Sequence, residues 1–515
     1  MTRINTNVSS LLGQRVLNAN NQTLSMSLER LSTGLRINRG KDDPAGLIAS
    51  ENLRAEIGGL DQAIKNAERA DQVVNIAEGG LNEISSLLTE LQALVVQTAN
   101  TGGLSREELE ANQLQIDSIL QTVDRIASAT SFQGLKLLNG NMDYQTESIS
   151  SVVNSFKVNG AKLGFGETRD VQVLVTGSAQ VGAMFLSLGG TSLDLGSQTD
   201  NFVIEINGAD GARELSFASG AETSVMAETI NSFTSVTGVK ATAVNSGGAV
   251  GLRLESDRYG ADEFAGIKVI DDGNIGAAAD IGIYEYLADN ALGVDASSHT
   301  DYATADNGLA DYGQDVTATI NGIVATTKGT NASINTDFLD VEIDLGYDLT
   351  SSSAAQLGAV NAFTILGGGA DFQLASQVNI GGKVSLGVGN VAVRELGRVI
   401  DGTSEHLLKD LANGRGLNVV DGNREMAQQV VDEAIKEVSS LRGRLGAFQK
   451  NVIGATIRSL GVSLENTTAA ESSIRDTDFA AQTAELTRSQ ILVQSATQIL
   501  GISNSQPQAA LSLLG

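Results

Sequence analysis

The chain has 515 residues, 41% apolar and 18% charged, with a formal net charge of −27; this excludes wholesale disorder and leaves room for roughly two to four domains with sizeable cores. It has no cysteine, no tryptophan, 2 prolines and 4% aromatics, which excludes disulfides, thiolate nucleophiles and Cys-ligated metal, and asks Leu, Ile, Val and Ala to build the core. Residues 1–140 carry 12 Lys/Arg against 16 Asp/Glu and residues 401–515 carry 10 against 13, leaving 12 against 32 for residues 141–400; an acidic block of that size repels nucleic acid and anionic membranes, so neither is an expected partner.

The start, MTRINTNVSSLLGQRV, lacks the apolar run of roughly 7–15 residues that a Sec-type signal needs. Leu17, Leu24, Leu28, Leu31 and Leu35 then follow steps of 7, 4, 3 and 4, the spacing of a coiled-coil seam. In Lys41-Asp42-Asp43-Pro44-Ala45-Gly46, Asp43 is placed to cap a helix and Pro44 to occupy its first turn. That helix carries Leu53, Ile57, Leu60, Ile64, Ala67, Ala70, Val74, Ala77, Leu81, Ile84, Leu88, Leu91 and Val95. The steps alternate 4 and 3, with one slip at Ala67–Ala70 that reads as a stammer. From Leu53 to Val95 the rod is roughly 65 Å long, too long to bury its stripe without partner helices. Ser105 and Glu108 form a capping box, and Leu104 and Leu109 a hydrophobic staple, opening a second helix with Leu109, Ile116, Val123 and Ile126. With Thr101-Gly102-Gly103 as a turn, the two are expected to form an antiparallel hairpin.

The middle changes character. Alternating runs VQVLV (171–175), FVIEI (202–206), LRLES (252–256), VTATI (316–320) and IVATT (323–327) predict strands. Asn321-Gly322 and Asn207-Gly208 are hairpin cues. Residues of about 180–370 read as one or two β-rich domains inserted into a helical frame, with 287–315 as a long polar loop. A third rod follows, with Val431, Ala434, Val438, Leu441, Leu445, Phe448, Val452 and Ala455 alternating steps of 3 and 4. Beyond it Phe479, Leu486, Val493 and Leu500 lie seven apart. After Arg488 no charged side chain remains in the last 27 residues. Gln490, Gln494, Gln498 and Ser503-Asn504-Ser505-Gln506 interrupt that tail, so no stretch is apolar enough to span a bilayer. The fold class is thus α+β: long coiled-coil-like helices from both termini around a β-rich middle, the two ends packed against each other.

Chemistry finds little to stand on. His299 and His406 have no second histidine nearby, and His406 reads as an ordinary residue of a helical segment. There is no H-E-x-x-H, no Walker A loop and no Rossmann fingerprint; Leu366-Gly367-Gly368-Gly369 reads as a loop before a strand. Asp271-Asp272-Gly273-Asn274 lacks the twelve-residue EF-hand layout and reads as an acidic turn rather than a calcium site. No catalytic residue, metal or cofactor is expected. What survives is self-association. Residues 1–28 carry only Arg3 and Arg15, and 489–515 carry nothing; apolar stripes with so little core of their own seek partners. Repeated head-to-tail contact that does not close gives a filament.

Several segments resemble bacterial flagellin: SLERLSTGLRINRGKDDPAGLIASENL (27–53), AERADQVVNIAEGGLNEISSLL (67–88), VQTAN (96–100) and TSFQGLKLLNG (130–140), then RGRLGAFQKNVIGATIRSLGVSLENTTAAESSIRDTDFAAQTAELTRSQILVQSATQIL (442–500) and the closing Leu511-Ser512-Leu513-Leu514. Ile206-Asn207-Gly208 and Thr237-Gly238-Val239-Lys240-Ala241 are loosely similar to the β modules with an Ile-Asn motif found in some flagellins. The resemblance implies a non-enzymatic filament subunit exported unfolded through the flagellum's own type III channel, secreted and extracellular. It implies residues 1–40 and 470–515 as an inner helical layer, disordered in the free monomer. Residues 41–180, a helical hairpin with a short β segment, and 370–469 would form a second layer, with 180–370 as the acidic outer domain. Implied partners are other copies of the chain, an export chaperone, the filament cap and hook-associated proteins. The polymerisation seam would use Leu17, Leu24, Leu28, Leu31, Leu35, Phe479, Leu486, Val493 and Leu500. Helix packing in the second layer would use Leu53, Ile57, Leu60, Ile64, Val74, Leu81, Ile84, Leu88, Leu91, Val438, Leu441, Leu445, Phe448 and Val452.

Flagellins also present a surface read by an animal Toll-like receptor; anchored on VQTAN, it maps to Gln92, Val96 and Gln115. Gln92 stands where Arg is typical and Gln115 where Glu is typical, so weak recognition is expected. Three alternatives remain at this stage: a hook-filament junction protein with similar terminal helices, an enzyme displayed in the insert, and a secreted β-rich adhesin with coiled-coil ends.

Overall fold

A computed structural model describes residues 6–100, 102–164, 166–195, 199–246, 249–275, 281–287, 290–348, 353–354, 357–401 and 404–512. In chain order the helices are α1 (Val8–Thr33), α2 (Pro44–Thr98), α3 (Arg106–Ala129), α4 (Thr223–Asn231), the four-residue α5 (Thr234–Thr237), α6 (Arg424–Ala447), α7 (Gly454–Arg475) and α8 (Phe479–Ser512), with a π-helical segment Phe448–Ile453 between α6 and α7. The chain divides into two compact units: residues 1–78, 372–384 and 442–515, and residues 79–371 and 385–441.

The helix starts follow the residues at their ends. Asn7 caps α1 by accepting from the Ser10 amide at 3.1 Å. Asp43 Oδ1 accepts from the Gly46 amide at 2.9 Å at the head of α2. Ser105 Oγ accepts from the Glu108 amide while Glu108 accepts from the Ser105 amide at 2.7 Å, the reciprocal box that opens α3. Gly34 ends α1 at φ 75°, a left-handed conformation that a side chain would oppose.

The buried stripe of α2 runs Leu60, Ala63, Ala67, Ala70, Val74, Ala77, Leu81, Ile84, Leu88, Leu91, Val95 and Thr98. Its steps alternate 3 and 4 without interruption. The slip expected at Ala67–Ala70 is absent because the small Ala63, not the larger Ile64, turns inward; Ile64 is half-buried, as are Leu53 and Ile57. In α6 and beyond, Val438, Leu441, Leu445 and Phe448 are buried. The next buried residue is Ile453, with Val452 only half-buried. The π segment inserts one residue into the turn and advances the stripe by that residue.

In the first unit, Arg442 reaches Glu78 at 2.9 Å and Gln449 donates to Asp71 and Asn75, each at 2.9 Å, which sets the two helices antiparallel. The hairpin Ala370–Gln373 and Lys383–Leu386 has its first-unit residues fixed by Asn66 Nδ2 donating to the Gln373 carbonyl at 3.2 Å and by Phe372 against Phe448.

The second unit holds the β structure in two cores. One lies between a sheet ordered 323–324, 317–320, 169–177, 358–368, 144–147 and a sheet ordered 326–328, 331–335, 339–345, 153–161. Val171, Val173, Ile320, Phe363 and Ile365 face Val158, Ile334, Val341 and Ile343 in it. Residues 144–177, assigned with the helical layer from the sequence, thus share sheets with residues 316–368. Asn321 at φ 49° and Gly322 at φ 80° make the expected tight turn. The run IVATT does not stay with its hairpin partner: it pairs in the first sheet at 323–324, then crosses at Ala325 to the second at 326–328.

The other core lies between a sheet ordered 290–300, 282–287, 183–187, 249–256, 239–246 and one ordered 309–312, 264–271, 201–208, 211–218, with α4 closing it through Met226, Ala227 and Ile230. The expected polar loop 287–315 is largely strand: 290–300 pairs along 282–287, Tyr284 opposite His299. An edge strand takes its order from its neighbour's backbone and needs little alternation of its own. His406 likewise lies on a strand rather than a helix, opposite Val399. Leu366-Gly367-Gly368 is the end of strand 358–368, where a side chain on Gly368 would meet the Asp143 carbonyl at 2.4 Å.

Three tyrosines of this unit have raised pKa values. Burial pushes Tyr144 and Tyr286 up to about 12, and raises Tyr302 as well. The Tyr144 hydroxyl accepts from the Ala161 amide at 2.8 Å and donates to the Ala161 carbonyl. The fold prefers neutral phenols, so their contribution is fully present below the ordinary value of 10.0 and is lost as pH rises through about 12. The urea midpoint of this unit should fall steeply between pH 10 and 12. Tyr144→Phe should lower stability by about 1 kcal/mol at neutral pH and shallow the alkaline decline; an unchanged slope would contradict the assignment.

Candidate assembly surface

α1 and α8 pack antiparallel. Asn7 Nδ2 donates to the Ser503 carbonyl at 2.8 Å, Ser10 Oγ donates to Asn504 Oδ1 at 2.7 Å, and Gly13 faces Leu500. At the other end the Thr477 amide donates to the Gly34 carbonyl at 2.9 Å and the Arg36 amide to the Arg475 carbonyl at 2.7 Å, around a bridge between Leu35 and Asp476. The Arg36 guanidinium adds a bond to the Ile474 carbonyl, and Arg475 binds Glu51 at 2.8 Å. That guanidinium holds the Glu51 carboxyl below the usual range.

The seam has two kinds of position. On α8, Leu486, Val493 and Leu500 are half-buried, and each is followed three residues later by a buried small residue: Ser489, Ala496 and Ser503. On α1, Leu17, Leu24 and Leu31 are half-buried, interleaved with Gly13, Asn20, Ser27 and Gly34, of which Ser27 is fully buried. Small side chains at every second seam position let the two backbones approach closely, which a leucine-only seam would prevent. Reading large apolar residues alone misses these; their own seven-residue spacing is the signal that finds them. Leu35 lies past the helix end, in the bridge, and is half-buried.

Away from the seam, the pair is apolar toward solvent. Val8 is 67% exposed and Leu11 59%, with Leu12 and Val16 beside them; on α8, Ile499 is 60% and Ile502 62% exposed, with Ile491 and Leu492 beside them. Leu28 and Phe479 belong to this outward set, at 50% and 58%. The charged side chains among the described residues of the pair are Arg15, Glu29, Arg30, Glu485 and Arg488. The pair thus combines a broad exposed apolar face with little charge.

The receptor-surface positions lie in the second unit. Val96 and Gln115 are exposed, and Gln92 is half-buried, its Nε2 donating to Asp432 Oδ1 on α6. Elsewhere, chemistry has no centre. Among the described residues no group of three or more His, Asp or Glu is placed to hold a metal ion. His299 stacks on Tyr284 and lies 3.2 Å from Asp301. Asp271 and Asp272 accept from the Gly273 and Asn274 amides of their own turn. No described helix is long and apolar enough to cross a membrane.

A Cβ on Gly13 would sit 3.2 Å from Leu500 Cδ1, so Gly13→Val forces the helices apart. The expected cost is about 1–3 kcal/mol of α1–α8 pairing. Hydrogen exchange should accelerate in α8 and remain unchanged in residues 144–177; slow exchange retained along α8 would contradict the close seam.

The ends and the β insert each match known proteins. Residues 4–143 match the bacterial flagellin N-terminal helical region, residues 428–514 the bacterial flagellin C-terminal helical region, and residues 201–257 the flagellin hook IN motif. A flagellin of Salmonella muenchen is 30% identical over 547 aligned positions, covering 99% of both chains. Flagellin B of Vibrio cholerae is 28% identical, again over 99% of both. Among solved structures, FliC of Burkholderia pseudomallei aligns with 74% of this chain and 99% of its own at 15% identity and a TM-score of 0.22, a level that bears on neither fold nor function. With the Salmonella muenchen flagellin 30% identical and aligned end to end, and both terminal helical regions matched in order, the chain belongs to the bacterial flagellin family and is a structural subunit of the flagellar filament.

Proposed function

We propose that the α1–α8 pair is the polymerisation contact. Its seam, Leu17, Leu24, Leu31, Leu486, Val493 and Leu500 with the small residues between them, holds the pair together. The outward residues Val8, Leu11, Leu28, Phe479, Ile499 and Ile502 meet the same helices of neighbouring copies. The observation that carries this is the exposed apolar face on two charge-poor helices. A lone subunit leaves these faces exposed, and a helical array of copies would bury them. In the proposed filament, residues 1–40 and 470–515 lie innermost, 41–143 and 370–469 next, and 144–370 outermost, the sheets that 144–177 share with 316–368 carrying that stretch outward with the insert. The net charge of −20 in residues 141–400 supports that order, since carboxylates crowded near an axis would repel one another.

The subunit is proposed to act without catalysis, outside the cell, after export through the flagellum's own type III channel. Its neutral C-terminal residues would be held by an export chaperone and placed by the filament cap, with hook-associated proteins at the filament base. Removing residues 489–515 should abolish elongation from filament seeds in electron micrographs, while the β cores keep their unfolding transition. Filaments from the truncated chain would overturn the proposal.

Recognition by a Toll-like receptor is proposed to be weak. Gln92 is spent on Asp432 and neither it nor Gln115 brings a charge to the surface. Purified monomer should activate a receptor reporter line poorly, and Gln92→Arg with Gln115→Glu should raise the response; full potency of the unmodified chain would refute this.

A further inference from the structure

We propose that Asn413-Gly414 is a site of spontaneous deamidation and isoaspartate formation, and that the other Asn-Gly pairs of the chain are shielded from this reaction by the fold. The sequence has six such pairs, at Asn139, Asn159, Asn207, Asn307, Asn321 and Asn413. Glycine at the second position leaves the amide unhindered, so each is chemically susceptible in an unfolded chain. The reaction needs the asparagine side chain to swing onto the following amide nitrogen, and it needs that nitrogen unbonded.

Five pairs fail one of these conditions. Asn159 and Asn207 lie in strands 153–161 and 201–208, whose extended backbone holds the side-chain carbonyl away from the next amide; Asn159 also donates to Asp340 at 3.2 Å. Asn321 is tied at both ends: its Oδ1 accepts from the Gln172 amide at 2.8 Å and its Nδ2 donates to the Asp170 carbonyl at 3.1 Å. Asn139 is half-buried, and its Oδ1 accepts from the Asn141 amide at 3.2 Å. Asn307 is exposed, but the Gly308 amide donates to the Ala305 carbonyl at 3.3 Å.

Asn413 meets both conditions. It is exposed in a turn, and its bond to Asp117 Oδ1, at 3.0 Å, is made by the main-chain amide and leaves the side chain free. The Gly414 amide donates to no carbonyl among the described residues, and a Cβ placed on Gly414 would meet nothing within 4 Å. The Gly414 nitrogen gives its proton to solvent base and attacks Cγ of Asn413; the Cγ–Nδ2 bond breaks and ammonia leaves, closing a succinimide. Water then opens either imide carbonyl, giving aspartate or isoaspartate, so one water is consumed for each ammonia released.

The product has a structural consequence. Asp117 Oδ1 accepts from both the Asn413 amide and Gln113 Nε2, and Gln113 in turn holds the Leu411 carbonyl and the Val419 amide, each at 2.9 Å. A new carboxylate at position 413 stands beside Asp117, and isoaspartate adds a carbon to the main chain at the bonded residue. Both changes loosen loop 411–419 from α3.

The test is to age the full-length monomer at mildly alkaline pH and map conversion at all six pairs by peptide mass spectrometry, scoring isoaspartate with an isoaspartyl methyltransferase. In the native chain Asn413 should convert several-fold faster than each other pair, and in denaturant the six rates should converge. Conversion at Asn413 no faster than at Asn321 in the native chain would overturn the proposal. Hydrogen exchange in loop 411–419 should rise on ageing and stay constant in an Asn413→Gln variant; equal exchange in both would overturn the structural consequence.

Discussion

Two bonds between main chains, Thr477 to Gly34 and Arg36 to Arg475, close the α1–α8 pair at its base, and the pairing of the terminal helices depends on them. Arg36 and Ile474, bonded in the same place, are 438 residues apart in sequence. Closing so long a loop costs entropy that grows only slowly with length, which is why a large β insert is tolerated between the two ends. The same closure makes the two helices conditional on each other. Neither has a buried face of its own, and the small seam residues Ser489, Ala496, Ser503 and Gly13 reward only close contact with the partner helix. Loss of either end therefore removes the other.

The small residues also explain the composition. A chain with 57 glycines, no tryptophan and 4% aromatics is suited to helices that touch along their backbones. The β cores obey a different rule: Phe202 packs edge-on to Tyr302, and Phe156 stacks on Phe363 at 4.3 Å, so large rings supply volume there.

What the sequence disclosed and what it withheld divide along physical lines. Helix starts were legible, because a cap is a local bond between residues three apart, as at Asp43 and Ser105. The seven-residue repeats were legible as helices but not in their facing. Periodicity weighs apolar volume, and so placed Ile64 and Val452 in the core, where the packing chose Ala63 and Ile453. The π segment behind the second change is an inserted residue with no local signature in Phe448–Ile453. Strand pairing was the least legible, since it joins distant residues: nothing near Val171 announces Phe363 as its partner, nor anything near Val173 Ile320. At the assembly surface, Leu17, Leu24, Leu31, Leu486, Val493 and Leu500 were visible from spacing, whereas Leu28 and Phe479 share that spacing and face solvent. Spacing does not separate them from the seam; only their exposed area marks them out.

The central claim is that the bare face of the α1–α8 pair is covered by other copies in the filament. Because the chain has no cysteine, a single cysteine at Leu11 or Ile502 reports that face alone. Maleimide labelling should be complete in the monomer and strongly suppressed in the assembled filament, while a cysteine at Thr319 on the acidic insert labels equally in both. Equal labelling of Leu11→Cys and Ile502→Cys before and after assembly would contradict the account.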